Sequence, residues 1–175
     1  ALCLVGSEMC IRDRYKNAQA LPWFYLAPRA QVVADEDRVL ELLRSGQIDP
    51  SAVALVEEAL PFELTNPNVI STDRVHVIEH NPPEGFIHLQ TQSENARLLV
   101  VSENYQSNWS VWVDGQPADM LRVNYVWKGV VLPPGEHRVE FRYHSSILFW
   151  SRTATILCAL FVVGLIAADR MRRRK

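Results

Sequence analysis

The chain has 175 residues, 48% of them hydrophobic and 22% charged, which suits one folded domain with an appendage rather than two full domains. Its net charge of −2 hides a division: residues 15–146 carry 10 Lys and Arg against 17 Asp and Glu, while residues 147–175 carry 6 against Asp169 alone. The acidic body excludes nucleic acid as a partner, because phosphate contacts need a basic face, and the split implies one aqueous environment and one at a membrane surface.

Residues 1–14 are expected to lie outside the fold. Leu4 to Asp13 resembles the translation of a transposase sequencing-library adapter, and Arg14 is a residue that the adapter's final bases allow. A signal peptide would place its basic residues before the apolar ones, and here the order is reversed. The natural protein is therefore expected to continue upstream, with an N-terminal region missing from this chain. Of the three cysteines, Cys3, Cys10 and Cys158, none falls in residues 15–146, so the body has neither a disulfide framework nor a CxxC metal site.

The body from residue 15 to 146 reads as mainly β. Pro22 and Pro28 bracket the apolar run Trp23-Phe24-Tyr25-Leu26-Ala27, which suits an extended edge segment. Arg29 to Val33 suits a short strand. Asp35 then supplies an N-cap, Glu36 and Asp37 place acids in a first helical turn, and Gly46 sits where a C-cap belongs; the Val39, Leu40, Leu42, Leu43 stripe completes a helix of about ten residues. Ser51 to Leu60 suits a strand and a turn, with a helix as the alternative. From residue 69 the period changes to two: Arg74 to Glu79 and Gly85 to Thr91 alternate, and Arg97 to Ser102 is an apolar run of buried-strand length. Trp109 to Val113 leads into the hairpin signal Asp114-Gly115. Leu121 to Val126, Gly129 to Leu132 and Arg138 to Tyr143 complete the strands. Short strands at about ten-residue spacing predict a β-sandwich-like domain with one short N-terminal helix.

Residues 147–168 form an apolar segment interrupted mainly by Ser151, Arg152 and Thr153. As a helix it would reach about 33 Å, enough for the roughly 30 Å hydrocarbon core of a bilayer. Phe149, Trp150 and Arg152 suit the membrane interface, where aromatic rings settle and an Arg can extend into the headgroups. Arg170, Arg172, Arg173, Arg174 and Lys175 would set the topology, holding tail 169–175 in the cytoplasm and the β-rich body outside it.

The ordered run Glu103-Asn104-Tyr105, Trp109, Val113-Asp114-Gly115, Leu121-Arg122-Val123-Asn124-Tyr125 and Gly135-Glu136-His137-Arg138-Val139-Glu140-Phe141-Arg142-Tyr143 resembles the C-terminal region of the bacterial YfhO family of polytopic membrane proteins. Ala27-Pro28-Arg29-Ala30 is similar to an earlier segment of that family. Ser107-Asn108 departs from it, standing where Pro-Gly is usual before the Trp. The resemblance implies a C-terminal extracytoplasmic domain before a last transmembrane helix. It also implies a parent similar to glycosyltransferases that use lipid-linked sugars, whose catalytic acid lies in an early loop absent from this chain. No catalytic residue is carried over, and the chain itself is expected to be a non-catalytic accessory domain in cell-envelope glycan or polymer modification. A membrane-anchored binding or scaffold module with no enzymatic role is the alternative.

No cofactor or metal is expected: His76, His80, His88 and His137 show no ligand spacing. The candidate glycan contacts are Tyr105, Trp112, Asn124, Tyr125 and Trp127, aromatics that can stack on sugar rings beside amides that can bind hydroxyls. Trp109 and Trp112 are three apart and so face opposite sides of a strand, placing at least one in the core. The expected partners are the lipid bilayer, a lipid-linked sugar or envelope glycan, and the upstream membrane region of the same protein.

Overall fold

In a computed structural model, the structure describes residues 20–66, 68, 73–81, 84–144 and 146–172. Residues 1–14, read as adapter, and Arg173, Arg174 and Lys175 of the tail lie outside them. So do the side chains at positions 146–149, 152, 162, 163, 165–169 and 172, among them Phe149, Arg152 and Arg172.

The elements in chain order are β1 (Phe24–Ala27), β2 (Arg29–Val32), α1 (Glu36–Ser45), β3 (Val53–Val56), β4 (Arg74–Asn81), β5 (Phe86–Ser93), β6 (Arg97–Asn104), β7 (Trp109–Val113), β8 (Gln116–Ala118), β9 (Leu121–Val123), β10 (Trp127–Leu132), β11 (Gly135–Tyr143) and α2 (Ser146–Arg172). They build a six-stranded sheet of order β1-β6-β10-β9-β3-β2 and a five-stranded sheet of order β4-β5-β11-β7-β8.

The first sheet cannot be flat. Its outermost strands β1 and β2 are joined by Pro28 alone, and two residues span at most about 7 Å. Six strands at about 4.8 Å spacing would separate those edges by about 24 Å. The sheet therefore rolls until its edges meet, and β1 and β2 act as one strand bent at the proline. All six strands line the interior of the roll, with Tyr25, Ala27, Ala30, Ala54, Val56, Leu98, Val100, Leu121, Val123 and Val131. The opposite side chains of β6 and β10 (Leu99, Val101, Val130, Leu132) pack against Ile87, Leu89, Val111, Val139 and Phe141 of the second sheet. Burial on both faces is why residues 97–102 read as a continuous apolar run, whereas β5 and β11, with one open face, alternate.

Local signals act as their chemistry requires. The Asp35 side chain accepts from the Asp37 and Arg38 amides, and Gly46 closes α1 at φ 67°. β2, α1 and β3 form a parallel crossover unit, with Val39 and Leu42 packed on Leu55. Asp114 and Gly115 take φ 52° and 78°, the pair of positive values a type I′ hairpin needs. Two expectations are corrected in length. Leu121 to Val126 is a strand only to Val123, because Asn124 and Tyr125 turn left-handed at φ 47° and 74°. The alternation from Arg74 is broken by a bulge between Val77 and Glu79, as edge strands often are.

α2 occupies the place expected of the C-terminal helix, starting at Ser146 and running 27 residues. Among the described residues no helix is both long enough and apolar enough to cross a membrane. Part of the apolar run expected to span the bilayer, at 162, 163 and 165–168, falls on side chains outside the description.

Candidate functional site

The five aromatic and amide residues expected to contact glycan do not gather into one site. Trp112 stands on the open face of the second sheet, opposite Pro117 on β8 and Glu140 on β11. The Arg142 guanidinium lies 5.0 Å from its ring centre and the His144 ring 6.2 Å away, edge-on. Arg142 donates to Glu140 at 2.6 Å, and His88 lies 3.9 Å from Glu140, 3.8 Å from Glu79 and 5.4 Å, ring to ring, from Phe86. Trp112, Arg142, Glu140, His88 and Phe86 thus make a continuous row across β7, β11 and β5. A shallow groove of about 380 Å³ adjoins it, lined by Glu84, Phe86, His88, Arg142 and His144.

The other four candidates lie where β6 ends and β10 begins. The Tyr105 amide donates to the Val126 carbonyl at 2.6 Å, and the Arg122 guanidinium lies 5.6 Å from the Tyr105 ring. Trp127 packs against the interior of the rolled sheet and Tyr125 against the α1 side. Asn124 is 5% exposed and belongs to the framework. Its backbone amide donates to the Leu55 carbonyl and its Oδ1 accepts from the Leu55 amide, both at 2.8 Å. A side chain thereby extends the β3–β9 ladder by one rung, and its carboxamide is not available to an external hydroxyl. Trp109, three residues from Trp112, does face inward.

Two buried cations stand outside the candidates that the sequence pattern offered. Lys128 is fully buried on β10. Its Nζ donates to Glu103 Oε2 at 2.9 Å and lies 3.1 Å from the Trp109 ring centre. Glu103 Oε1 is in turn 2.7 Å from His80 Nε2, and the His80 ring meets Trp23 and Phe24 at 5.5 and 5.2 Å. The chain Lys128–Glu103–His80 therefore ties β10 and β6 of one sheet to β4 of the other. Burial by itself raises the Glu103 carboxyl, but hydrogen bonds and charge from Lys128 and His80 outweigh it and hold the group below its ordinary value.

The second cation, Arg97, is fully buried at the start of β6. It donates through Nε to Asp73 Oδ2 at 2.6 Å and through its Nη atoms to the Thr65 and Asn66 carbonyls, while Ser93 donates to Asp73 Oδ1 at 2.6 Å. The only signal for either was a charge inside an apolar strand. Their partners, 25 and 24 residues away in sequence, were not legible.

Burial pushes the Tyr25 phenol up to about 12. Among the described residues no group of three or more His, Cys, Asp or Glu is placed to hold a metal ion.

The fold is thus a β-rich sandwich with one rolled sheet, one open aromatic and charged face, and a last strand followed by a long helix. The family model described as bacterial membrane protein YfhO matches residues 66–153, half of the chain, from the segment under Arg97 into α2. The chain belongs to the YfhO family and is membrane-associated. No curated protein and no solved structure matches it.

Proposed function

We propose that the chain is the extracytoplasmic accessory domain of a bacterial inner-membrane protein that works on lipid-linked sugars. In this reading α2 is its transmembrane anchor, and the domain holds cell-envelope glycan while catalysis belongs to an upstream membrane region. The observation that carries the glycan role is the open row Trp112–Arg142–Glu140–His88 with its groove. An aromatic plane flanked by bidentate donors and acceptors suits the apolar face and the hydroxyls of a sugar ring. The glycan contact narrows to Trp112 and this row, since Asn124 is committed to the fold.

The anchor is supported by the environment that α2 needs. The described apolar side chains Trp150, Ile156, Leu157, Leu160 and Phe161 are all exposed, and none joins a core cluster of the body. Apolar surface on this scale requires a non-aqueous partner. Twenty-seven residues reach about 40 Å, which exceeds the hydrocarbon core. The arginines from position 170 onward favour a cytoplasmic C-terminus and an outward body.

Binding of the full chain in nanodiscs to an array of envelope glycans tests the glycan role. The expected result is binding that falls at least tenfold in Trp112→Ala, with the melting profile retained. Equal binding by the variant, or none by the parent chain, would leave the alternative of an anchored scaffold.

A further inference from the structure

The turns of the body divide into two ends of different chemistry. At one end β1, β5, β7 and β10 begin and β4, β6, β9 and β11 finish. The 105–108 link joins the two sheets there, and the His144 amide, at the exit of β11, donates to the Asn108 carbonyl at 2.8 Å. α2 starts at Ser146, so this is the end from which it leaves.

Trp23 is 54% exposed at this end although its backbone is fixed by Ser102, and Val126 is 43% exposed at the tip of the β9–β10 hairpin. Tyr105 and Trp127 are half-buried beside Val126, and Trp150 is 68% exposed one turn into α2. The described turn residues 104–108 and 124–126 carry no charge; Glu84 and, in the link before β3, Asp49 are acids of the described turn residues here, with the Pro50 carbonyl accepting from the Tyr25 hydroxyl beside Asn124.

The opposite end is built from the turns 93–96, 114–116 and 133–136. These turns hold Glu94, Asp114 and Glu136 and no Trp, Tyr or Phe, and the segment after the exposed Phe62 is bonded to the first of them, the Thr65 amide donating to the Ala96 carbonyl and Asn66 to Asn95. Hydrogen bonds to Asp114 from His137 and the Arg138 amide hold its carboxyl below the ordinary range, fixing a charge at that tip.

Tryptophan and tyrosine concentrate where a protein meets lipid headgroups, because their rings are apolar and their N–H or O–H groups stay hydrated. We infer that the end of the sandwich from which α2 departs is seated in the headgroup layer of the bilayer, with Trp23, Tyr105, Val126 and Trp127 as its contacts, so that the body is docked on the membrane rather than swinging above it. The inference rests on the reading of α2 as an anchor and adds an orientation to it. The opposite end points away from the membrane, and the Trp112 row, which crosses the strands, runs parallel to the bilayer with its groove on the membrane side, where the sugar of a lipid-linked donor would emerge.

Fluorescence quenching of the full chain in nanodiscs, with a nitroxide on the lipid headgroup, tests the seating. Three variants each keep one tryptophan, Trp23, Trp112 or Trp150, with the others changed to Phe. The expected result is strong quenching of Trp150, quenching of Trp23 to at least half that extent, and quenching of Trp112 at least threefold weaker than that of Trp23. Quenched Trp150 with Trp23 no more affected than Trp112 would overturn the docking while leaving the anchor intact. Unquenched Trp150 would defeat the anchor and the docking with it. Should a single-tryptophan variant misfold, amide exchange of the unsubstituted chain decides. Moving it from amphipol to nanodiscs is expected to slow exchange at 105–108 and 124–126 at least fivefold and to leave 114–116 unchanged, and equal rates throughout would overturn the inference.

Discussion

The two ends of the sandwich each contain a buried cation on the same pair of strands, β6 and β10, and the cations are not interchangeable. At the end away from α2, Arg97 uses a planar fork to hold Asp73 and two backbone carbonyls, clamping the segment before β4 onto the start of β6. At the α2 end, Lys128 is a point charge with one carboxylate partner, the Trp109 face against it and the Phe141 ring farther off. Guanidinium suits several acceptors at fixed angles, and ammonium suits a single oxygen under a ring. One clamp therefore organises a loop, while the other, through Glu103 and His80, ties together the two sheets beside the aromatic surface.

Arg97→Met is expected to show the largest effect, about 4 kcal/mol lost, because Asp73 would be left as a buried unpaired carboxylate and two carbonyls would lose their donor. Chemical denaturation measures it, and Arg97→Lys should recover less than half, since an ammonium cannot reproduce the fork. A near-neutral Arg97→Met would mean that the loop is held by something else.

Lys128→Met should cost somewhat less, about 3 kcal/mol, because Glu103 keeps His80 and some solvent. The double variant Lys128→Met, Glu103→Gln should regain at least half of the loss. Acid sharpens the same contrast. Glu103 is held below its ordinary 4.5, so its contribution is fully present above that pH and is lost as the pH falls through the lower folded-state value. Stability measured on descending from pH 5 should drop less steeply in Glu103→Gln than in the parent; parallel curves would mean that the carboxylate is not held by its partners.

Asn124→Ala should cost about 2 kcal/mol, combining a lost bond to the buried Leu55 amide with a left-handed backbone that alanine resists. Asn124→Gly separates the two terms by relieving only the second. Trp112→Ala should change stability least, by about 1 kcal/mol or less, since its ring meets Arg142 and His144 at the surface. Its glycan binding should nonetheless change most.

Features whose partners are close in sequence were legible. The Asp35 and Gly46 caps, the Asp114-Gly115 turn and the alternation of β5 and β11 each depend on residues within one element or one hairpin, and they appear where the pattern places them. The doubly buried β6 was readable as an apolar run for the same reason. The rolling of the first sheet was not, because it follows from β1 pairing with β6, more than seventy residues on, while β2 pairs with β3. The glycan candidates were chosen for residue type, and the fold divided them: Trp112 to an open sheet face, Asn124 to the interior, Tyr105 and Trp127 to the end facing α2. Family motifs carried the assignment that local physics could not, because strand patterns alone suit many sandwiches.

The account turns on α2 being surrounded by lipid, and Cys158, exposed near the middle of that helix, reports on it directly. The measurement is labelling of the full chain in sealed vesicles with a charged, membrane-impermeant maleimide, read by mass at the peptide containing Cys158. A thiol in hydrocarbon does not meet a charged reagent, so the account predicts no modification until detergent dissolves the bilayer, and full modification afterwards. Rapid labelling of Cys158 in intact vesicles would place the helix in water and contradict the account.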